Sequence, residues 1–436
     1  MSSLFVLIIL VILLFVFLAS GLEIAFSLGL VGVIGLFFWQ NGLNALVAMG
    51  EISWDVTTSF TLMAVPLFIF MSAVLIESGI SIGLYRAVAK WLYRLPGGLA
   101  VASQVACSIF AAVSGSSTAT AAAIGMISIP EMEKRRYEQK IVVGSICAGG
   151  TLGILIPPSI ALIIYGTIME TSIGQLFVAG IIPGIVLALM FSGYIIVRVM
   201  LKPLTAPRSE VKVNWKERFT VLKEVIPILS LIVLVLGGIY GGIFTPTEAA
   251  GVGAFGSVAI AAIYRRLNFA VMKRSLLVAV HTTSMIFLII IGALILSRIV
   301  AFLNIPQAFT RALFTLGISR WTIFLLVCLL YLIMGCLLDA ISMMMITLPV
   351  IGPMMVALGF DPVWFGIVMV VLIEMGLITP PVGLNLFVVH GLMEKGRFEI
   401  VALGSVPFVL LMAIGIAFLV FFPNLALWLP SLMTAR

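Results

Sequence analysis

Apolar segments long enough to cross a lipid bilayer recur along the chain from Leu4 to the C-terminus. The hydrocarbon core of a bilayer is about 30 Å thick, and an α-helix needs roughly 20 apolar residues to cross it. Only 9% of the 436 residues are charged and 63% are hydrophobic, whereas soluble domains have roughly 25% charged residues. We therefore predict an all-α polytopic membrane protein.

Composition and motifs argue against several other classes. The net charge of +7 is a topology signal in a membrane protein rather than evidence for nucleic-acid binding. The four cysteines lie in apolar segments without metal-site spacing and are interpreted as small hydrophobic residues. There is no P-loop and no paired-histidine zinc motif, and Asp339 lacks the second intramembrane aspartate of an aspartyl protease. We expect neither an enzyme nor ATP hydrolysis.

Lysine and arginine residues are concentrated in five clusters. These contain 20 of the 24 basic residues and lie at 86–94, 134–140, 198–223, 265–274 and 395–397. Because cytoplasmic loops of membrane proteins carry an excess of basic residues, the five clusters are predicted to share the cytoplasmic side. The number of crossings between consecutive clusters must then be even.

This parity predicts two re-entrant hairpins. The apolar block 95–130 lies between two basic clusters, but its roughly 35 residues are too few for two spans. It is therefore predicted to enter the membrane, turn near Gly115 and return. The block 321–360, broken around Gly335 and Asp339, is also of hairpin length and is predicted to enter from the opposite side.

Each predicted hairpin is followed by a proline-bearing break in an apolar segment. The breaks are "GILIPPS" at 153–159 and "GLITPPV" at 376–382. A predicted hairpin followed by a Gly-x-x-x-Pro-Pro motif therefore occurs twice in the chain. Inverted repeats with interrupted helices in corresponding positions are typical of secondary transporters that bind substrate near the membrane midplane. Ordinary kinks in a structural helix bundle are the alternative interpretation.

The predicted organisation follows from these blocks. It comprises N-terminal helices (1–94), a first repeat with hairpin 95–130, broken helix 141–166 and the following span (95–200), a cytoplasmic linker or surface helix (201–223), second-half helices (224–320), a second repeat with hairpin 321–360 and broken helix 363–390 (321–392), and a C-terminal helix (393–436).

The first tip and break carry oxygen atoms suited to Na⁺. Ser114 and Thr118 are four residues apart and would face one point on a continuous helix. Carbonyl groups near Gly153, Ile156 and Pro158 would approach from the broken helix. A neutral oxygen cage suits Na⁺, whereas Mg²⁺ and Ca²⁺ sites usually contain carboxylates.

Other polar residues are candidates for the substrate. Ser116, Ser117 and free N–H groups at helix N-termini can hold an anion. Asp339 is expected to contribute to a Na⁺ site or to receive substrate hydroxyls, with helix capping as the alternative. Glu374 precedes the second break and either faces the cavity or pairs with a basic neighbour.

Four motifs together identify a family resemblance. "AAVSGSSTATAAAIG", "GTLGILIPPS", "GCLLDAISMMMITLPV" and "GLITPPVGLN" occur in this order over nearly the whole chain. They resemble the large membrane subunit of tripartite ATP-independent periplasmic (TRAP) transporters. The hairpins and broken helices are also similar to the wider ion-transporter superfamily, which includes divalent-anion/sodium symporters.

The resemblance implies a fold, a mechanism and partners. It implies an inverted-repeat, elevator-type importer of organic acids such as dicarboxylates or sialic acid, driven by two or more Na⁺ ions, in the bacterial inner membrane. In such a protein 95–200 and 321–392 would be the transport units, and the scaffold helices would lie in 1–94, 224–320 and 393–436. Its partners would be the organic-acid substrate, the lipid bilayer, a small four-helix membrane subunit and a periplasmic substrate-binding protein. The small subunit is expected to be a separate chain. A stand-alone sodium/anion symporter and a channel-like component are the alternatives.

The resemblance also implies specific site residues. The first Na⁺ site would contain Ser114, Thr118, Gly153, Ile156 and Pro158, and the second would contain Gly335, Gly376, Thr379 and Pro381. The substrate site would contain Ser116, Ser117, Asp339 and Asn385. No catalytic residues are implied.

Overall fold

The computed structural model describes residues 3–39, 42–207, 215–315, 317–393 and 396–434. The predicted linker 201–223 and the basic cluster 395–397 fall partly outside these ranges. The helices are α1 (Ser3–Ala19), α2 (Ile24–Trp39), α3 (Leu43–Thr58), α4 (Ala64–Glu77), α5 (Ile80–Leu92), α6 (Gly98–Ser114), α7 (Ser117–Lys134), α8 (Gln139–Leu155), α9 (Ile160–Ile168), α10 (Ile173–Leu201), α11 (Trp215–Tyr240), α12 (Pro246–Ile263), α13 (Phe269–Phe302), α14 (Ile305–Thr315), α15 (Arg320–Gly335), α16 (Ala340–Ala357), α17 (Pro362–Leu377), α18 (Leu384–Gly391), α19 (Phe398–Phe421) and α20 (Asn424–Thr434).

Within the described ranges, seven helical segments are long and apolar enough to cross a bilayer. The count becomes eight if α4 and α5, which meet at 68°, form one bent span. One of the seven is the run Gln139–Ile168, which contains both arms of the first broken helix, α8 and α9. Single arms such as α6, α15 and α17 have only 16 or 17 residues, as expected for segments that reach only part of the way across. The predicted all-α polytopic membrane fold is therefore confirmed.

Both predicted hairpins are present, and each one closes at its base. The N–H of Leu99 in α6 donates to the hydroxyl of Tyr137, just beyond α7, at 3.4 Å. In the second hairpin, the Trp321 ring at the start of α15 packs edge-on against Phe360, just beyond α16, with centroids 5.4 Å apart. The two ends of each hairpin therefore lie at the same end of the fold.

The first three basic clusters meet at one end of the molecule. Trp91 Nε1 donates to the carbonyl oxygen of Arg218 at 3.2 Å. Arg198 pairs with Glu138 at 3.2 Å, which joins the end of α10 to the start of α8. This arrangement agrees with the parity argument that predicted the first hairpin, because the base of that hairpin lies among these clusters.

A broken helix follows each hairpin. Four residues separate α8 from α9 and six separate α17 from α18, and the Pro157–Pro158 and Pro380–Pro381 peptide bonds in these breaks are cis. The two pairs of prolines lie 223 residues apart in the sequence. The second half of the chain therefore repeats the hairpin and break of the first.

The remaining helices pack in two groups. α2 lies along α13, and α4 lies against α12 and α13. α10 and α19 instead pack on the helices of the hairpins and breaks, where Phe408 of α19 contacts Phe191 and Tyr194 of α10 edge-on. The C-terminal helix predicted as scaffold thus lies directly against α8. The division into scaffold and transport units stays a prediction.

Candidate functional site

The tip of the first hairpin consists of Gly115 and Ser116 between α6 and α7. Gly115 ends α6 in the left-handed conformation, with φ of 59°, which glycine adopts without steric cost. Ser116 has an extended backbone, and its Oγ accepts a hydrogen bond from the N–H of Ala119 at 3.4 Å. Serine is a preferred N-cap because its oxygen satisfies a free N–H of the first helical turn. The polar tip therefore closes two helix ends.

Ser114 and Thr118 do not face one point as their spacing predicted. The helix is interrupted between them, and the Oγ of Ser114 lies 2.5 Å from the Oγ1 of Thr120. Thr118 instead places its Oγ1 3.3 Å from the Oγ of Ser116. That expectation was wrong because the i, i+4 rule requires a continuous helix. Thr120, which the sequence analysis missed, is the hydroxyl partner of Ser114.

The first tip lies against the break between α8 and α9. The backbone of Ile156 is extended there, with φ −80° and ψ 119°. A Cβ atom added to Gly153 would lie 2.5 Å from the carbonyl oxygen of Ser116, and one added to Gly115 would lie 3.0 Å from that of Pro158. The last carbonyl groups of α8 have no partner within the helix. The junction thus places free carbonyl groups beside the tip hydroxyls.

The second tip lies against the second break in the same way. A Cβ atom added to Gly335 would be 2.6 Å from the Cα of Gly376, so these two backbones touch. The N–H of Gly383 donates to the carbonyl oxygen of Cys336 at 3.0 Å. Thr379 donates its hydroxyl to the carbonyl oxygen of Met375 at 2.6 Å, which leaves its lone pairs available. The break that contains Pro381 is therefore held on the second tip.

Asp339 caps helix α16. Its Oδ2 accepts hydrogen bonds from the N–H groups of Ile341 at 3.1 Å and Ser342 at 3.2 Å. The capping alternative considered from the sequence is therefore confirmed. Both bonds use the same oxygen, so the carboxylate is oriented by the helix end while its second oxygen, Oδ1, can meet another group. Asp339 and Ser116 occupy corresponding positions in the two repeats, 223 residues apart.

Ser117 and Asn385 meet around a buried acid, and their predicted contact with substrate stays a prediction. The hydroxyl of Ser117 donates to the Oε2 of Glu374 at 2.6 Å and accepts from the Nδ2 of Asn385 at 3.0 Å. All three side chains are buried. Among the described residues no ion pair includes Glu374, so the predicted pairing with a basic neighbour is wrong. The signal in the sequence was a lone carboxylate inside an apolar helix.

The sequence is similar to known transporter subunits over nearly its whole length. The family model for the tripartite ATP-independent periplasmic transporter DctM component matches residues 11–425. The C4-dicarboxylate TRAP transporter large permease protein DctM of Vibrio cholerae is 38% identical over 95% of both chains. The ectoine TRAP transporter large permease protein TeaC of Halomonas elongata is 31% identical over 94% of this chain and 96% of its own.

The fold also resembles a solved structure. The YdaH transporter of Alcanivorax borkumensis aligns over 90% of both chains with a TM-score of 0.56. Its sequence identity is 14%, so this likeness concerns the fold alone. On the family match and the identity to curated relatives, the chain belongs to the DctM component family of tripartite ATP-independent periplasmic transporters, as its large permease.

Proposed function

We propose that this permease imports organic-acid anions together with Na⁺. One observation carries the proposal: each hairpin tip lies against the break of its own repeat, and each junction combines hydroxyl oxygens with backbone carbonyl groups. Such neutral oxygen sets suit Na⁺. Among the described side chains, no group of three His, Cys, Asp or Glu could hold a metal ion, which argues against a divalent ion.

The proposed ion positions follow the repeat. In the first repeat, Ser114 and Thr120 would supply hydroxyl oxygens, and the broken helix around Gly153 would supply carbonyl oxygens. In the second, Thr379 and the backbones of Gly335 and Gly376 would do so. An ion at either junction would bind the hairpin to the broken helix. Binding of Na⁺ would thereby order the tips before substrate arrives.

The proposed substrate is an anionic organic acid. Helices α7 and α16 both begin at the hairpin tips, and helix N-termini favour anions because free N–H groups and the helix dipole point at the ligand. At α16 the Asp339 carboxylate already accepts two of these N–H groups, so the N-terminus of α7 is the stronger candidate for the anion. The relatives include permeases named for C4-dicarboxylate and for isethionate. We therefore infer a small carboxylate, with C4-dicarboxylates as the first compounds to test.

The movement and the partners are also proposed. The hairpins and broken helices would slide as a unit past the scaffold helices in an elevator motion. A small membrane subunit would extend the scaffold and a periplasmic binding protein would deliver the substrate, because the family is tripartite by name.

Uptake should require an inward Na⁺ gradient. The measurement is uptake of radiolabelled C4-dicarboxylate into proteoliposomes that contain the permease and its small subunit, with the binding protein added outside. We expect accumulation with Na⁺ outside and background uptake in buffer that contains only K⁺. Equal uptake in both buffers would contradict Na⁺ coupling. Uptake without the binding protein would instead favour a stand-alone symporter.

Two substitutions at Asp339 should separate its charge from its capping role. Asp339→Ala is expected to lose about 1 kcal/mol in the free energy of unfolding, the usual cost of removing an N-cap. Asp339→Asn should keep most of this stability, since asparagine caps helices as well as aspartate does. If the carboxylate acts on an ion or substrate, uptake falls in both variants. Normal uptake by Asp339→Asn would restrict Asp339 to capping.

A further inference from the structure

A buried carboxylate lies where the two repeats meet. Glu374 belongs to α17 of the second repeat, and 0% of its surface is exposed. Its Oε2 accepts a hydrogen bond from Ser117 of α7, in the first hairpin, at 2.6 Å. Ser117 in turn accepts from Asn385 of α18 at 3.0 Å. One chain of hydrogen bonds therefore connects three helices from both repeats.

The directions of these bonds determine what remains unpaired. Ser117 has a single hydroxyl hydrogen, which it donates to the Glu374 carboxylate, so Asn385 must present its NH₂ group to Ser117. This leaves the Oδ1 of Asn385 and the Oε1 of Glu374 buried without a hydrogen-bond partner. Buried polar atoms are nearly always paired with protein, water or an ion. Both oxygens donate electron pairs, so their partner would be a hydrogen-bond donor or a cation.

The charge of the site points the same way. An ionised carboxylate without a partner is very costly inside a protein. The ion pairs in the described part of the chain do not include Glu374; their acidic partners are Glu51, Glu77, Glu131, Glu138 and Glu399. Either a proton or a small cation that binds oxygen neutralises this charge, and the second unpaired oxygen, the Oδ1 of Asn385, favours the cation because a cation takes more than one oxygen ligand. One carboxylate charge balances a single positive charge, which favours a monovalent ion over Ca²⁺ or Mg²⁺.

We propose that Glu374 and Asn385 hold a Na⁺ ion between the two repeats, in addition to the ions proposed at the hairpin tips. The inference rests on the proposed Na⁺ dependence of the permease. The ligands would be the Oε1 of Glu374 and the Oδ1 of Asn385, while Ser117 orients both side chains. The site is complete only when the first hairpin is docked on the second repeat, because Ser117 reaches it from α7.

The test is to count the Na⁺ ions bound to the purified full-length permease by equilibrium binding of radioactive Na⁺. Glu374→Gln preserves the shape of the side chain and removes its charge, and we expect it to bind one Na⁺ fewer per chain than the wild type. Glu374→Asp keeps the charge and should keep the number of ions with weaker affinity. Ser114→Ala, at the first tip, serves as the matched control for the ions proposed there.

A second measurement uses the melting temperature as a function of Na⁺ concentration. An ion that binds only the folded state raises the melting temperature as its concentration increases. Without Na⁺, Glu374→Gln should melt above the wild type because no uncompensated charge is buried. As the Na⁺ concentration increases, the melting temperature of the wild type should rise more than that of Glu374→Gln. If Glu374→Gln does not fold, Asn385→Ala provides the test in its place. We expect this variant to raise the Na⁺ dissociation constant by several-fold.

The outcomes separate this site from the proposed function. If the wild type binds Na⁺ and Glu374→Gln binds the same number with the same affinity, the carboxyl group is neutralised by a proton and the proposed site is wrong, while Na⁺ coupling stands. Unchanged affinity in Asn385→Ala would also overturn the site. If the wild type binds no Na⁺, both proposals fail.

Discussion

Replacing Gly153 with alanine is expected to weaken Na⁺-dependent uptake by about 5- to 150-fold while the protein remains folded. The added Cβ would lie 2.5 Å from the carbonyl oxygen and 2.7 Å from the carbonyl carbon of Ser116, and 2.9 Å from the nitrogen of Ser117. All three atoms belong to the backbone, so no side chain can rotate away. The tip of the first hairpin must move off α8.

The size of this effect comes from overpacking. Extra atoms in a packed interior cost about 1–3 kcal/mol, and a cost confined to the docked tip reduces ion binding by the corresponding factor. Uptake as a function of Na⁺ concentration, in the proteoliposomes described above, measures it. Gly193→Ala in α10 is the matched control, because an added Cβ there meets nothing within 4 Å. Uptake by Gly153→Ala equal to that of this control would show that transport does not require the tip contact.

Replacing Gly376 with alanine should have a comparable effect through the second hairpin. Its Cβ would lie 2.6 Å from the Cα of Gly335 and 3.2 Å from the carbonyl oxygen of Tyr331, again against backbone. Gly335→Ala creates the same collision from the other side. Each single variant should lose Na⁺-dependent uptake by about 5- to 150-fold.

A double-mutant cycle makes this second prediction sharper. Once either alanine has separated the tip from the break, the other alanine should cost little more, so the two effects should fall well short of additive. Gly391→Ala, near the end of α18, is the control in the same repeat because nothing lies within 4 Å of its added Cβ. Additive losses in Gly335→Ala/Gly376→Ala would contradict a shared contact.

The hairpins were predictable because they follow from counting. A block such as 95–130 has a length that hydropathy alone reveals, and the side on which it ends follows from flanking lysine and arginine residues. The breaks were predictable because the Gly-x-x-x-Pro-Pro pattern is local. The contact of Gly335 with Gly376 was implied by a family resemblance, and the structure brings those two backbones together.

The side-chain partners within the site were less predictable. Ser114 meets Thr120 rather than Thr118 because the chain reverses at Gly115, and helical spacing does not extend across a reversal. Asp339 was correctly considered as a cap, since capping depends on neighbouring residues in the chain.

The amino-acid sequence by itself determined the membrane class, the paired hairpins and the two breaks, since these depend on local hydrophobicity, charge and backbone preference. Only the tertiary structure decided that Glu374 meets Ser117, 257 residues earlier in the chain. Contacts between such distant residues depend on how the two repeats pack against each other, and no periodicity or spacing along one segment records that packing. The residues proposed to hold the additional ion therefore became visible only in the folded protein.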